Sequence, residues 1–262
     1  MGSIRSPARK APAKVPAARM SPAEAMRALE QAGSAQARKT YARHGAREPM
    51  FGVSFATLKT LSKRIGFDHD LARALWDTGN FDARNLALKI ADPGRMTPDE
   101  LDRWARETPV RMVCGYIAML AAESPHAAAK ARQWLAGPAG PERSVAWGLV
   151  GQMASRDEGT PDPWFEERLA EIEHGIRAVS DSEREAMNSA VIAIGGRSPA
   201  LRRSALAVAK RIGRVEVDHG DTACKTPDAG EYIGKMWARS AAKGYESPSA
   251  QERDRESPRT RC

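Results

Sequence analysis

Cysteine is scarce: only Cys114, Cys224 and Cys262 occur in 262 residues, an odd number with no CxxC spacing. Disulfide frameworks and structural zinc sites need paired or clustered thiols, so the pattern argues against both. Aromatic residues are thin as well, at 6% against 42% hydrophobic overall, and Ala, Leu, Ile and Val carry the apolar content. Such side chains suit close helix–helix packing better than a β-sandwich. No run of about 18 uncharged apolar residues occurs, which removes a transmembrane helix. The first residues lack the apolar segment of a secretory signal. The expectation is a cytoplasmic monomer with no cofactor, no metal and no membrane contact.

Acid is missing from the beginning of the chain. Residues 1–20 hold Arg5, Arg9, Lys10, Lys14 and Arg19 and no carboxylate, a net +5, out of +8 for the whole chain. Residues 237–262 contribute +2, so the intervening 21–236 is balanced to +1, with 30 basic and 29 acidic residues. The Ala/Pro/Lys/Arg composition of 1–20 predicts a disordered basic arm. The Ser/Pro-rich, mixed-charge 237–262 predicts a second disordered tail. A basic chain fits a nucleic-acid partner, provided the central residues segregate their charges onto one face.

Between the tails the helical signal is continuous. Ser21-Pro22-Ala23-Glu24 sets a capping serine, a proline in the first turn and an acid behind them. Ser54, Thr97-Pro98-Asp99-Glu100, Ser124-Pro125, Pro141-Glu142 and Asp162-Pro163 repeat that signature, and Gly33, Gly66 and Gly79 stop helices. Helix pairs recur roughly every 35–45 residues, as in HEAT-like arrays. One pair cannot bury its apolar face alone, so neighbours stack. The expectation is an all-α, C-shaped, right-handed solenoid of antiparallel helix pairs over residues 21–236, of HEAT-like or armadillo type. A compact, non-repetitive helical bundle is the alternative.

Three stretches carry a family resemblance. Met50-Phe51-Gly52-Val53-Ser54 with Leu58 and Leu61, Phe81-Asp82-Ala83-Arg84-Asn85-Leu86-Ala87-Leu88, and Ala186-Met187-Asn188 through Gly196 resemble segments of the AlkD-like DNA alkylation repair proteins. The likeness covers about residues 21–213 and runs on towards 236. It implies a C-shaped stack whose concave, basic groove holds double-stranded DNA, and a glycosylase activity on cationic N3- or N7-alkylated purines. A carboxylate beside the sugar would stabilise the oxocarbenium ion, tryptophans would pack on the backbone and an arginine would bind phosphate.

Residue by residue, the transfer is partial. The family's Trp-x-x-x-Asp pattern falls on Val110 and Cys114, and no Asp or Glu occurs from Thr108 to Ala122. A second tryptophan position falls near Ser189. Only the arginine finds a match, Arg143, with Trp147 one turn later. Arg84, Arg111, Arg202, Arg203 and Lys210 are further candidates for the DNA-binding stripe, with surface salt bridges as the alternative for each. Trp76, Trp104, Trp134, Trp147 and Trp164 have the spacing of core residues. The catalytic position is left without an assigned residue.

The segment from Val215 to Asp228 breaks the helical rhythm and gathers Asp218, His219, Asp221 and Cys224. Asp218 and His219 are the candidates there for a displaced active site. A turn-rich loop capped by Thr226 before a closing helix is the plainer reading, since one His and one Cys among hard carboxylates match no standard metal site. Three functions compete: a DNA-binding, alkylation-repair-like protein; a non-catalytic scaffold whose concave surface holds a protein partner; and an enzyme of unassigned chemistry centred on Asp218, His219 and Cys224.

Overall fold

The computed structural model describes residues 19–108 and 111–261, with no account of the Arg111 and Met112 side chains. The basic arm expected over 1–20 therefore lies almost wholly outside the described residues. Helices follow one another with short turns: α1 (Pro22–Gln31), α2 (Ala35–Arg43), α3 (Phe55–Ile65), α4 (His69–Asp77), α5 (Phe81–Ile90), α6 (Pro98–Arg106) and α7 (Arg111–Glu123). Then come α8 (Ala127–Ala136), α9 (Pro141–Arg156), α10 (Asp162–Gly175), α11 (Asp181–Gly195), α12 (Pro199–Ile212), α13 (Ala229–Ala241), α14 (Pro248–Arg253) and α15 (Pro258–Arg261). The starts are set by side chains that accept from orphan backbone N–H groups, as at Ser34, Ser54, Asp68, Asn80, Ser180 and Ser198. Ser21–Glu24 and Thr97–Glu100 are full capping boxes.

Alternate helices stack into an inner row, α5 on α7, α7 on α9, α9 on α11 and α11 on α13, while α10 packs on α12 behind it. This is the layered arrangement of a helical solenoid. Small residues let the inner row close up. A Cβ built on Gly148 of α9 would stand 3.0 Å from the Ala118 Cβ of α7, and one on Gly151 would stand 3.5 Å from Ala193 of α11. The aromatic residues mostly serve the core: Trp76 and Trp104 are fully buried and stack at 4.3 Å with their planes 5° apart.

Two of the stretches that carry the family resemblance meet in space. Asp82, at the start of α5, is fully buried and accepts hydrogen bonds from the backbone N–H groups of Phe51, Gly52 and Val53, at 2.6, 3.0 and 2.8 Å. Gly52 holds a φ of +80°, and a Cβ there would lie 2.5 Å from the Ser34 carbonyl oxygen. The turn needs glycine for both reasons. Tyr41 adds a hydroxyl donated to the Val53 carbonyl at 2.7 Å.

The tail expected over 237–262 is instead folded. The closing helix expected after Thr226 spans Ala229–Ala241 and is capped by Asp228 rather than Thr226. Residues 244–261 then cross the ends of the inner helices and form α14 and α15. The segment is poor in apolar side chains, which is why composition reads it as disordered, but it docks by polar pairing. Ser249 Oγ donates to the Ala154 carbonyl of α9 at 3.1 Å, and its N–H donates to the Gly196 carbonyl at 3.1 Å. Arg259, 0% exposed, donates to the Leu88 and Ala91 carbonyls at 2.6 and 3.0 Å. The last carbonyls of a helix lack intrahelical donors and carry its negative dipole end. A basic strap satisfies both.

Candidate nucleic-acid interface

Helices α7, α9 and α11 present one cleft of about 760 Å³. Its floor is made of small residues: Cys114, Gly115 and Ala118 from α7, Gly148, Gly151 and Ser155 from α9, and Ser182, Ala186, Ser189, Ala190 and Ala193 from α11. The spacing along α11, three or four residues at a time, puts all five on one helix face. One rim is Arg43-His44-Gly45 at the end of α2, and the other is His219, Gly220, Thr222 and Cys224. Residues nearly 180 positions apart thus border the same space. Gln152 and Glu185 supply polar groups to the lining.

The positions that the family resemblance marks are here. Cys114 is buried at 8% exposure, and its thiol lies 3.5 Å from the Thr108 carbonyl oxygen. Ser189 lies on the opposite wall. Val110, the third, lies outside the described residues. Where a carboxylate and an aromatic face would be wanted, the cleft offers a thiol and a hydroxyl. The carboxylate that does reach it is Glu185, one turn before Ser189.

The other candidates are spread more widely. Trp147 lines the cleft but is 1% exposed, and its indole N–H donates to Glu183 at 3.2 Å. Arg143 donates to the same Glu183 oxygen at 2.9 Å, so the pair is tied into the core of α9 and α11. Arg84 donates to the Glu107 carboxylate at 3.1 Å and lies 4.8 Å over the Trp76 ring. Arg202, Arg203 and Lys210 are on α12, which contributes nothing to the cleft lining, and Arg202 stacks 4.8 Å from the Trp237 ring. The Arg111 side chain is outside the described residues.

The loop candidates divide. His219 and Cys224 face the cleft, while Asp218 is not part of its lining and accepts from the Gly220 N–H at 2.7 Å in a local turn. His219 Nε2 shares a 3.0 Å hydrogen bond with the Thr226 hydroxyl. Among the described residues no three His, Cys, Asp or Glu side chains converge on a point that could hold a metal. Of the α11 face only Ser189 and the stretch from Ala186 were singled out from the sequence, and the Arg43 rim was not. The repeat of Ser and Ala at positions 182, 186, 189, 190 and 193 was the signal for the face as a whole.

A model of the family described as DNA alkylation repair enzyme matches residues 25–233. The chain belongs to this family. Among curated relatives, the uncharacterised protein Lin0241 of Listeria innocua is 26% identical over 204 residues, covering 75% of this chain and 88% of that one. The uncharacterised protein Lmo0209 of Listeria monocytogenes is 27% identical over the same length and with the same coverage. A solved structure from a new family of proteins related to the HEAT-like repeat DNA glycosylases, with affinity for branched DNA structures, superposes with a TM-score of 0.75. It is 29% identical and covers 82% of this chain and 93% of that chain. The HEAT-like solenoid expected from helix spacing is thus shown for this member of the alkylation repair family. No helix among its described residues is long and apolar enough to cross a membrane.

Proposed function

We propose that this alkylation-repair family member binds DNA across the α7–α9–α11 cleft, with branched DNA preferred over simple duplex, and does not release alkylated bases. The observation that carries the reading is the cleft floor itself, in which Cys114 and Ser189 occupy the marked positions and glycines and alanines surround them. A floor of small side chains leaves room for a nucleic-acid strand but supplies neither a standing charge at Cys114 nor an aromatic surface at Ser189. The similar solved protein with affinity for branched DNA supports the choice of ligand. In a titration of labelled four-way junction and of duplex of equal length, the junction binds more tightly; equal affinity, or none, refutes the preference.

A second reading rests on Glu185. Its presence in the lining supplies a carboxylate from the opposite wall, which could stabilise an oxocarbenium ion. Incubation with duplex containing N7-methylguanine separates the two: base release that disappears in Glu185→Gln establishes a glycosylase, and release no faster than without protein establishes the binding-only reading.

A further inference from the structure

Charge is distributed along the array unevenly. Residues 31–67 carry seven cations, Arg38, Lys39, Arg43, Arg47, Lys59, Lys63 and Arg64, against the single carboxylate Glu48, a net +6. The remainder of 21–236 is then −5, although the whole of 21–236 is nearly neutral. The basicity of the folded array is therefore concentrated at its beginning.

Neutralisation differs in the same way. In the later helices Arg84, Arg103, Arg143, Arg184, Arg197 and Arg211 each lie within 3.1 Å of a carboxylate oxygen. Arg203 and Lys210 of α12 are exposed and enter no salt bridge with a described residue either, but α12 contributes nothing to the cleft lining. Around α2 only Arg38 is matched, to Glu48. Lys39, Arg43 and Arg47 are exposed and enter no salt bridge with any described residue. Lys39 and Arg43 lie one turn apart on α2, where like charges repel, and Arg43 with His44 forms a rim of the cleft. Unmatched like charges beside a cleft focus a positive potential on its mouth. A polyanion relieves the repulsion and releases counterions.

We infer that Lys39, Arg43 and Arg47 form the surface that holds the phosphate backbone of the DNA whose branch enters the cleft, and that the stripe on α12 does not. The inference rests on the DNA-binding reading and names the residues that give it affinity. Each phosphate contact neutralised on duplex contributes about 0.9 to the slope of log affinity against log salt.

The test is a fluorescence-anisotropy titration of a labelled synthetic four-way junction across a salt series, with Lys39→Ala/Arg43→Ala/Arg47→Ala compared with the wild-type chain. The slope is expected to fall in magnitude by about 2 to 3. A charge-matched control, Lys235→Ala/Arg239→Ala/Lys243→Ala, removes three exposed cations of α13 and the turn after it and leaves the slope unchanged. Urea midpoints confirm that both variants fold. An unchanged slope in the α2 variant, or an equal fall in the control, overturns the inference while DNA binding stands. A wild-type chain that binds neither junction nor duplex overturns the function reading as well.

Discussion

The guanidinium of Arg259 lies fully buried beside Glu123, its Nε and Nη2 at 3.0 and 2.8 Å from one carboxylate oxygen. The two residues are 136 positions apart, and their pairing fastens the strap of residues 244–261 to the end of α7. Helical arrays normally couple only neighbouring repeats. Here the last residues also reach α5 and α3, through Leu88 and through Lys59, whose ammonium donates to the Arg261 carbonyl at 2.5 Å. Arg259→Ala leaves the Glu123 Oε2 and two helix-end carbonyls without their arginine donor, while the Ser257 hydroxyl still donates to Glu123 Oε1, and the expected loss is about 3 kcal/mol in unfolding free energy. Arg259→Lys retains the charge without the planar fork and falls between. An alanine variant with the wild-type urea midpoint would show that the strap carries no stability.

A second buried pair makes stability depend on acid. Burial pushes the Asp102 carboxyl up, but hydrogen bonds from Lys130, Trp134 and Gln133 outweigh it and hold the group below its ordinary value of 3.8. Lys130 is 2.7 Å away and only 4% exposed. A depressed carboxylate contributes stability that is complete above its unfolded value and is lost as pH falls through the lower folded one. Asp102→Asn should therefore cost about 3 kcal/mol at neutral pH, and the gap between variant and wild type should narrow as pH falls below the ordinary carboxyl value of 3.8. Urea unfolding at a series of pH values measures this, and a gap independent of pH would exclude a depressed Asp102.

Arg84 provides a contrast between two arginine roles. It lies over Trp76, which in turn stacks on Trp104, and it donates to the Glu107 carbonyl and carboxylate at 3.0 and 3.1 Å. Arg84→Ala is expected to lower stability by about 1 kcal/mol, a figure tempered by the partial exposure of the pair. Junction affinity measured under folding conditions should stay as it was. A variant of normal stability and weakened DNA binding would return Arg84 to the DNA-contacting surface.

That contrast also explains what could be read from the amino acids alone. The helices were legible because their boundaries are local events: Ser21 and Glu24 close a box within four residues, and Thr97 with Glu100 repeats it. The Gly52 turn and Asp82 were recognisable separately, but their three hydrogen bonds span about 30 residues and need the fold. Arginines were the least legible. Whether Arg143 meets a phosphate or Glu183 depends on a neighbour 40 positions away, and helix spacing alone carries no such information. The strap was missed for a related reason, because its burial is achieved by Arg259 and serines rather than by the apolar side chains that signal a core.

The cleft floor offers a test that leaves charge untouched. A Cβ on Gly151 would meet the Ala193 Cβ at 3.5 Å, an ordinary contact, whereas one on Gly148 would meet Ala118 at 3.0 Å. Gly151 is thus the place where a methyl group can be added without forcing α9 away from its neighbours. Gly151→Ala should be neutral for binding and gain up to about 1 kcal/mol of helix stability. Gly151→Leu adds three further carbons at a position that lines the cleft beside Ala190 and Ala193, and should weaken junction binding about tenfold, equivalent to about 1.4 kcal/mol. Because no ionic contact is removed, its salt slope should match that of the wild type, which separates occlusion of the cleft from loss of phosphate contacts. A stable Gly151→Leu chain with undiminished affinity would place the DNA on another face of the array.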